Sequence, residues 1–255
     1  MGLGEILLPD GLAALPALLL VAASFFTSAL TAAFGVGGGV AMLTLMGFFL
    51  PVAALIPVHG AVQLGSNTGR AWHQRANIRL DIAVPFVAGS LLGAIVGVFF
   101  VFQIPDAVLK LVLGLFVIAV TWAKLPGVEK LSAAGLAVGS AFLALLSMFV
   151  GATGPLLSAL LAQIFAGDRK ALVATHAAGM TVQHALKIVV FGFAGFAFAA
   201  WLPLIALMVL SGYLGTVYGT RWLERLPEET FRRWFRIGLT LLALDLVRRG
   251  IMGLL

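Results

Sequence analysis

Cysteine is absent from the 255 residues, which removes disulfides, thiol chemistry and iron–sulfur ligation and says little about compartment. Charge is scarce: charged side chains make up 10% of the chain, against about a quarter in a soluble domain. No Gly-x-x-x-x-Gly-Lys-Ser/Thr loop occurs, so nothing cradles the phosphates of a nucleotide. The four histidines form no His-x-x-x-His pair with a nearby Glu, which leaves a zinc protease without support. Ser66 has His59 and His73 as neighbours in sequence but no Gly-x-Ser-x-Gly turn, the strained elbow that a serine nucleophile uses. Neither an enzyme nor a resident cofactor or metal is expected. No Lys or Arg precedes the first apolar run, and Glu5 and Asp10 stand there instead. A cleavable leader wants a positive start, so Leu12–Phe34 is expected to stay as a segment.

What the chain has in quantity is apolar side chains, at 62%, with a mean hydropathy of +1.11. Backbone in lipid must satisfy its own hydrogen bonds, so such runs are helices or closed barrels. Uninterrupted runs of roughly 20 residues fit helices rather than short alternating strands. The expected fold class is therefore an all-α polytopic membrane protein. Ten helical segments follow from the runs and their punctuation: Leu12–Phe34, Gly38–Leu55, Val58–Arg75, Ile82–Phe102 and Ala107–Ala123, then Leu131–Val150, Pro155–Phe165, Ala171–Phe198, Leu202–Leu223 and Phe231–Val247. The net charge of +6 lies in short loops, where it sets orientation rather than binding nucleic acid.

The two halves echo one another. Gly35 and Gly151 stand 116 apart, His59 and His176 117, Arg70 and Lys187 117, Pro85 and Pro203 118, and the pairs Gly93/Gly97 and Gly215/Gly219 122. An offset that drifts in one direction is what loop insertions produce. Residues 1–123 then form a first repeat of five segments, 124–130 a polar link, and 131–255 a second repeat. An odd segment count inverts the second copy, and the charges agree. Arg75 and Arg79 have an uncharged counterpart in Ala194–Trp201; Gln103–Asp106 lacks cations where Arg221–Arg233 has several; Leu50–Val58 is uncharged where Arg169 and Lys170 stand. Basic loops and link face the cytoplasm and both termini face outward, with Arg248 and Arg249 the counter-indication. Whether Leu12–Leu55 crosses twice or forms a re-entrant hairpin is left open by the sequence.

Two features carry the candidate site. Breaks at Gly35–Gly39 and at Gly151–Pro155 would each open a helix whose free N–H groups and positive dipole end suit an anion. Gly37, Gly38 and Gly39 are the candidates at the first, Thr153 (as N-cap) and Gly154 at the second. Close helix packing competes as an explanation, because Gly35-x-x-x-Gly39 is also a small-residue face. The segment after each break carries a polar stripe. His59, Gln63, Asn67 and Arg70 share one helix face, and His176, Gln183, His184 and Lys187 answer them in the second half. Polar groups in a bilayer cost a few kcal/mol each and usually face a cavity or partner. Lys187 lies among apolar neighbours, and Asp245, the best candidate among the sparse acids of apolar segments, also has Arg248 at i+3, so the partner of Lys187 could be a substrate anion. His59, His176 and His184 leave proton coupling open.

The run Ala32-Ala33-Phe34-Gly35-Val36-Gly37-Gly38-Gly39, the third segment ending in Arg75-Ala76-Asn77-Ile78-Arg79, Pro85, the Gly93/Gly97 pair and Ile104-Pro105-Asp106-Ala107-Val108-Leu109-Lys110 together resemble the sulfite exporter TauE/SafE family, from about Ser24 to Val247. The resemblance implies a carrier in a bacterial inner membrane that moves sulfite or small organosulfonates. Its partners would be the anion and the lipid bilayer, with protons as coupling ion and self-association left open. The second break, Gly151-Ala152-Thr153-Gly154-Pro155, is poorer in glycine than the family's pattern, so the half-sites need not be equivalent. A non-transporting scaffold whose polar stripe only packs helices is the competing expectation.

Overall fold

The computed structural model describes residue 9 and residues 12–34, 37–99, 105–122, 132–165, 168–219 and 228–255. These residues form ten α-helices and no strand: α1 Ala14–Phe34, α2 Gly38–Phe49, α3 Val52–His73, α4 Leu80–Val98, α5 Asp106–Trp122, α6 Ala133–Val150, α7 Gly154–Ile164, α8 Arg169–Phe193, α9 Leu202–Leu214 and α10 Glu228–Met252. Short 3₁₀ turns, Arg75–Asn77 and Phe198–Trp201, precede α4 and α9, and α9 runs on into a π turn over Gly215–Gly219. Spans 14–32, 80–97, 133–150 and 198–218 are each long and apolar enough to cross a bilayer. The chain is a multi-pass helical membrane protein. The link at 124–130 and Gly35 and Val36 lie outside the described residues.

Of the boundaries that differ from the sequence reading, three have a visible local reason. The second helix stops at Phe49 rather than running to Leu55, because extended Leu50 and Pro51 end it and Pro51 becomes the N-cap of α3. Proline lacks the N–H a continuing helix needs and disfavours helical geometry in the residue before it. Helix α3 therefore starts six residues earlier than expected and contains Pro57, which helices in a membrane bundle tolerate. Helix α8 ends at Phe193 rather than Phe198, where Gly195 takes a φ of 88°.

Helix α2 folds back along α1. Gly38 lies so close to α1 that an added Cβ would sit 1.9 Å from the Thr27 carbonyl oxygen, while Met42 Sδ accepts a hydrogen bond from Thr27 Oγ1 at 3.6 Å. At 12 residues α2 spans about 18 Å and α7, at 11 residues, about 16 Å, against about 30 Å of hydrocarbon. Each is a half-length segment that reverses the chain before a full-length helix.

Helices α3 and α8 run antiparallel across one another. His59 meets His184 with ring centroids 5.9 Å apart, Gly60 lies against Lys187, and at the far end the Arg79 amide donates to Thr175 Oγ1 at 3.1 Å. Arg75, Arg79 and the start of α8 are consequently on one side of the molecule. Helices α5 and α10 are antiparallel too: Gly250 approaches Leu111 and Gly114 approaches Val247, and Trp122 Nε1 donates to Thr240 Oγ1 at 2.8 Å. On the opposite side Arg249 stacks 4.9 Å from the Phe48 ring. Asp245 pairs with both Arg248 and Arg249 at 2.6 Å, which offsets the positive charge that argued against an outward C-terminus.

Two remaining close packings exchange helices between halves, α4 with α6 and α9 with α1. Both depend on glycine. A Cβ at Gly93 would lie 2.0 Å from the Ala141 oxygen, and one at Gly215 would lie 2.0 Å from the Phe25 oxygen. The backbones touch there, and any larger residue must push the helices apart. By contrast Gly69 in α3 has nothing within 4 Å of an added Cβ. Gly93→Ala is therefore expected to lower the thermal unfolding midpoint in detergent. Gly69→Ala should hold or raise it, since Ala favours a helix interior by about 1 kcal/mol over Gly.

Candidate functional site

Both chain breaks lie against the polar stripes of the crossing helices. Gly37 is the N-cap of α2 with a φ of 102°, and Gly151 ends α6 with a φ of 75°. Positive φ of this size strains any residue with a Cβ, so glycine is required at both turns. The first N–H groups of α2 and α7 have no intrahelical acceptor, and no side chain caps either helix. One carbonyl in the first turn of each helix also receives an imidazole N–H. His59 Nε2–H donates to the Gly39 carbonyl at 2.9 Å, and His176 Nε2–H to the Gly154 carbonyl at 3.0 Å. A carbonyl only accepts, so both imidazoles carry the proton on Nε2. The paired histidines of the two halves thus do the same work at the two breaks.

Between the breaks, where α3 crosses α8, lies a cavity of about 40 Å³. A buried water needs at least about 10–15 Å³ by the same measure, so the space takes a small polyatomic ion or a few waters. Of the residues singled out from the sequence, Gly37, Gly39, His59, Gln63, Asn67, Arg70, Gly154, His176 and His184 line it. Its lining contains one guanidinium, three imidazoles and two carboxamides, and no carboxylate. Arg70 Nη2 donates to Asn67 Oδ1 at 2.8 Å, and Asn67 Nδ2 to the Gln63 carbonyl at 2.8 Å. These bonds hold the guanidinium along its own helix.

Buried polar atoms without a partner gather around this space. Of the six among the described residues, Arg70 Nε, His59 Nδ1, His184 Nδ1 and Gln183 Nε2 belong to the stripes. Leaving a buried group unpaired costs about 1–3 kcal/mol, and three of these atoms, on Arg70, His59 and His184, belong to residues of the cavity wall.

Gly38, Thr153, Gln183 and Lys187 do not line the cavity. Gly38 is the contact of α2 with α1. Thr153 holds the N-cap position of α7 without capping it; its hydroxyl donates instead to Gln183 Oε1 at 3.1 Å. Gly154, not Pro155, is the first helical residue there. Lys187 is 0% exposed, and its Nζ donates to the Gly151 carbonyl. These three polar side chains of the second half brace the break from behind. Conversely, Thr31 and Met180 line the cavity without having been singled out, together with Val40, Ala152 and Pro155 at the two breaks. Thr31 had a signal: Ser24, Thr27, Ser28 and Thr31 form an i, i+3, i+4 stripe on an otherwise apolar helix, and all four are buried.

The bracing role of Thr153 is testable. Thr153→Val keeps shape but strands Gln183 Oε1, and it should destabilise the folded protein by about 1–3 kcal/mol. Anion affinity of the protein that remains folded should be unchanged when measured by calorimetry.

A family model described as sulfite exporter TauE/SafE matches residues 20–246. No curated protein and no solved structure gave a match.

Proposed function

Because the chain belongs to the sulfite exporter TauE/SafE family, we propose that it is a secondary transporter of small sulfur-containing oxyanions, sulfite or a short organosulfonate, acting as an exporter in a bacterial inner membrane. The observation that carries this reading is the cavity at the α3–α8 crossing, rich in donors and free of carboxylates. An oxyanion offers only acceptors, so a lining of N–H donors beside two helix starts complements it. Arg70 supplies the charge, Gln63 and Asn67 hydrogen bonds, and the amides at Gly37–Gly39 and Gly154 the oxygen contacts. Gly38, Thr153, Gln183 and Lys187 support that arrangement from outside the cavity.

Residues 1–123 and 131–255 are in this reading two inverted repeats that rock about the site. Support comes from the antiparallel pairs α3/α8 and α5/α10. Equivalent helices that pack antiparallel are related by a two-fold axis lying in the membrane plane. The crossed pairs α4/α6 and α9/α1, with matching glycine approaches at Gly93 and Gly215, fit the same axis. The unpartnered Nδ1 atoms of His59 and His184 would take up a proton travelling with the anion.

Arg70→Met is expected to weaken sulfite binding by about tenfold or more, as loss of one hydrogen bond to a charged group gives. The shift in unfolding temperature on adding sulfite reads this directly, since a ligand stabilises the folded form in proportion to its saturation. Uptake of labelled sulfite into proteoliposomes holding the purified protein tests transport itself. A scaffold would move no anion under any gradient, and that result would end the transport reading.

A further inference from the structure

Lys187 is the one cation of the stripes that touches neither cavity nor surface. Its side chain runs along Gly60 of α3, where an added Cβ would meet it at 3.4 Å, and it ends on the Gly151 carbonyl. No described acid serves it. Asp81 pairs with Arg79, Asp245 with Arg248 and Arg249, and Asp168 accepts from the Ala171 amide at the start of α8. A single carbonyl answers one of its three donors, and an ammonium without an anion in a membrane interior is costly. The carbonyl it has found closes α6, at the negative end of that helix's dipole. It is an internal stand-in for an anion.

The position of Lys187 gives this a meaning. Its counterpart in the first half is Arg70, 117 residues earlier. Because α3 and α8 are antiparallel, the two cations occupy opposite ends of one crossing. Arg70 lies toward the Arg75–Arg79 end, is half-buried and lines the cavity. Lys187 lies toward the start of α3 and is sealed in. One cation is partly exposed at the cavity wall and the other is fully buried outside it.

We propose that Lys187 is the anion ligand of the opposite-facing conformation: it rests on the Gly151 carbonyl while the Arg70 end is open, and exchanges that carbonyl for the anion when the other end opens. The proposal rests on the transport reading above. It gives each half one mobile cation, used in turn, so that the anion keeps a charged partner as access changes sides. It also explains why the second break carries a lysine bond where the cavity wall carries a free guanidinium nitrogen.

The natural absence of cysteine makes the test direct. Gly69→Cys, beside Arg70 with open space around it, and Gly60→Cys, at ordinary contact distance from Lys187, each introduce one thiol and keep both cations. A membrane-impermeant maleimide is added to right-side-out and to inverted vesicles, without sulfite, which would consume the reagent. Gly69→Cys should label from the face of the Arg75–Arg79 loop, and Gly60→Cys from the opposite face only. In proteoliposomes Lys187→Met should slow transport by about tenfold or more, as loss of a charge-assisted contact gives. If the wild-type protein moves sulfite but Gly60→Cys labels from the same face as Gly69→Cys or from neither, the role of Lys187 is wrong and the transport reading survives. Lys187→Met transporting at the wild-type rate overturns the proposal in the same way. If the wild-type protein moves no anion, both fall together.

Discussion

A helix interrupted inside a membrane bundle exposes backbone groups that lipid cannot satisfy, and the rest of this structure depends on how the two interruptions are answered. Each break frees amides at the start of a half-length helix and carbonyls around the turn. The carbonyl at Gly151, where one helix ends, is taken by Lys187, and His59 and His176 tie down the first turns through the Gly39 and Gly154 carbonyls. The starts of both half-length helices, at Gly37, Gly39 and Val40 and at Gly154 and Pro155, line the space where α3 and α8 cross. The same histidine bonds fix the imidazoles and set their tautomer on Nε2.

The packing of the full-length helices keeps that space in place. Helices α4 and α6, and α9 and α1, touch backbone to backbone at Gly93 and Gly215. Serine hydroxyls cross the second of these contacts, Ser24 to the Met208 carbonyl at 2.6 Å and Ser211 to the Val21 carbonyl at 2.7 Å. Such contacts stabilise association where the hydrophobic effect gives no driving force between helices. The crossing of α3 and α8 looks different, because it is lined by polar side chains that bond to the breaks or along α3 and still leave nitrogen atoms unpartnered. A rigid frame around a polar, under-bonded centre suits a carrier whose contents change during its cycle.

Much of this was legible in the chain. Apolar runs gave the ten helices, since the need for about 20 apolar residues per crossing is a strong constraint. The spacing of His59, Gln63, Asn67 and Arg70 placed them on one face of α3, and the cavity confirms that the face is shared. Proline was less legible: Pro51 ends one helix and Pro57 is carried inside the next, and only neighbouring helices decide which proline breaks the chain. Tertiary reach was not legible at all. That Lys187 would meet a carbonyl 36 residues earlier, or that Thr153 would turn from its own helix to Gln183, depends on how two helices cross rather than on spacing within one.

The proposed transport requires a small oxyanion to sit where α3 crosses α8, between the two half-length helices. Selenite has the shape and charge of sulfite and a strong anomalous signal at the selenium edge, and the methionines of the natural protein carry only sulfur. Anomalous diffraction from crystals grown with selenite should show one peak within hydrogen-bond reach of Arg70 and of the first turns of α2 and α7. A map with no peak there, or with selenium bound only at the basic loops of the surface, would contradict the account.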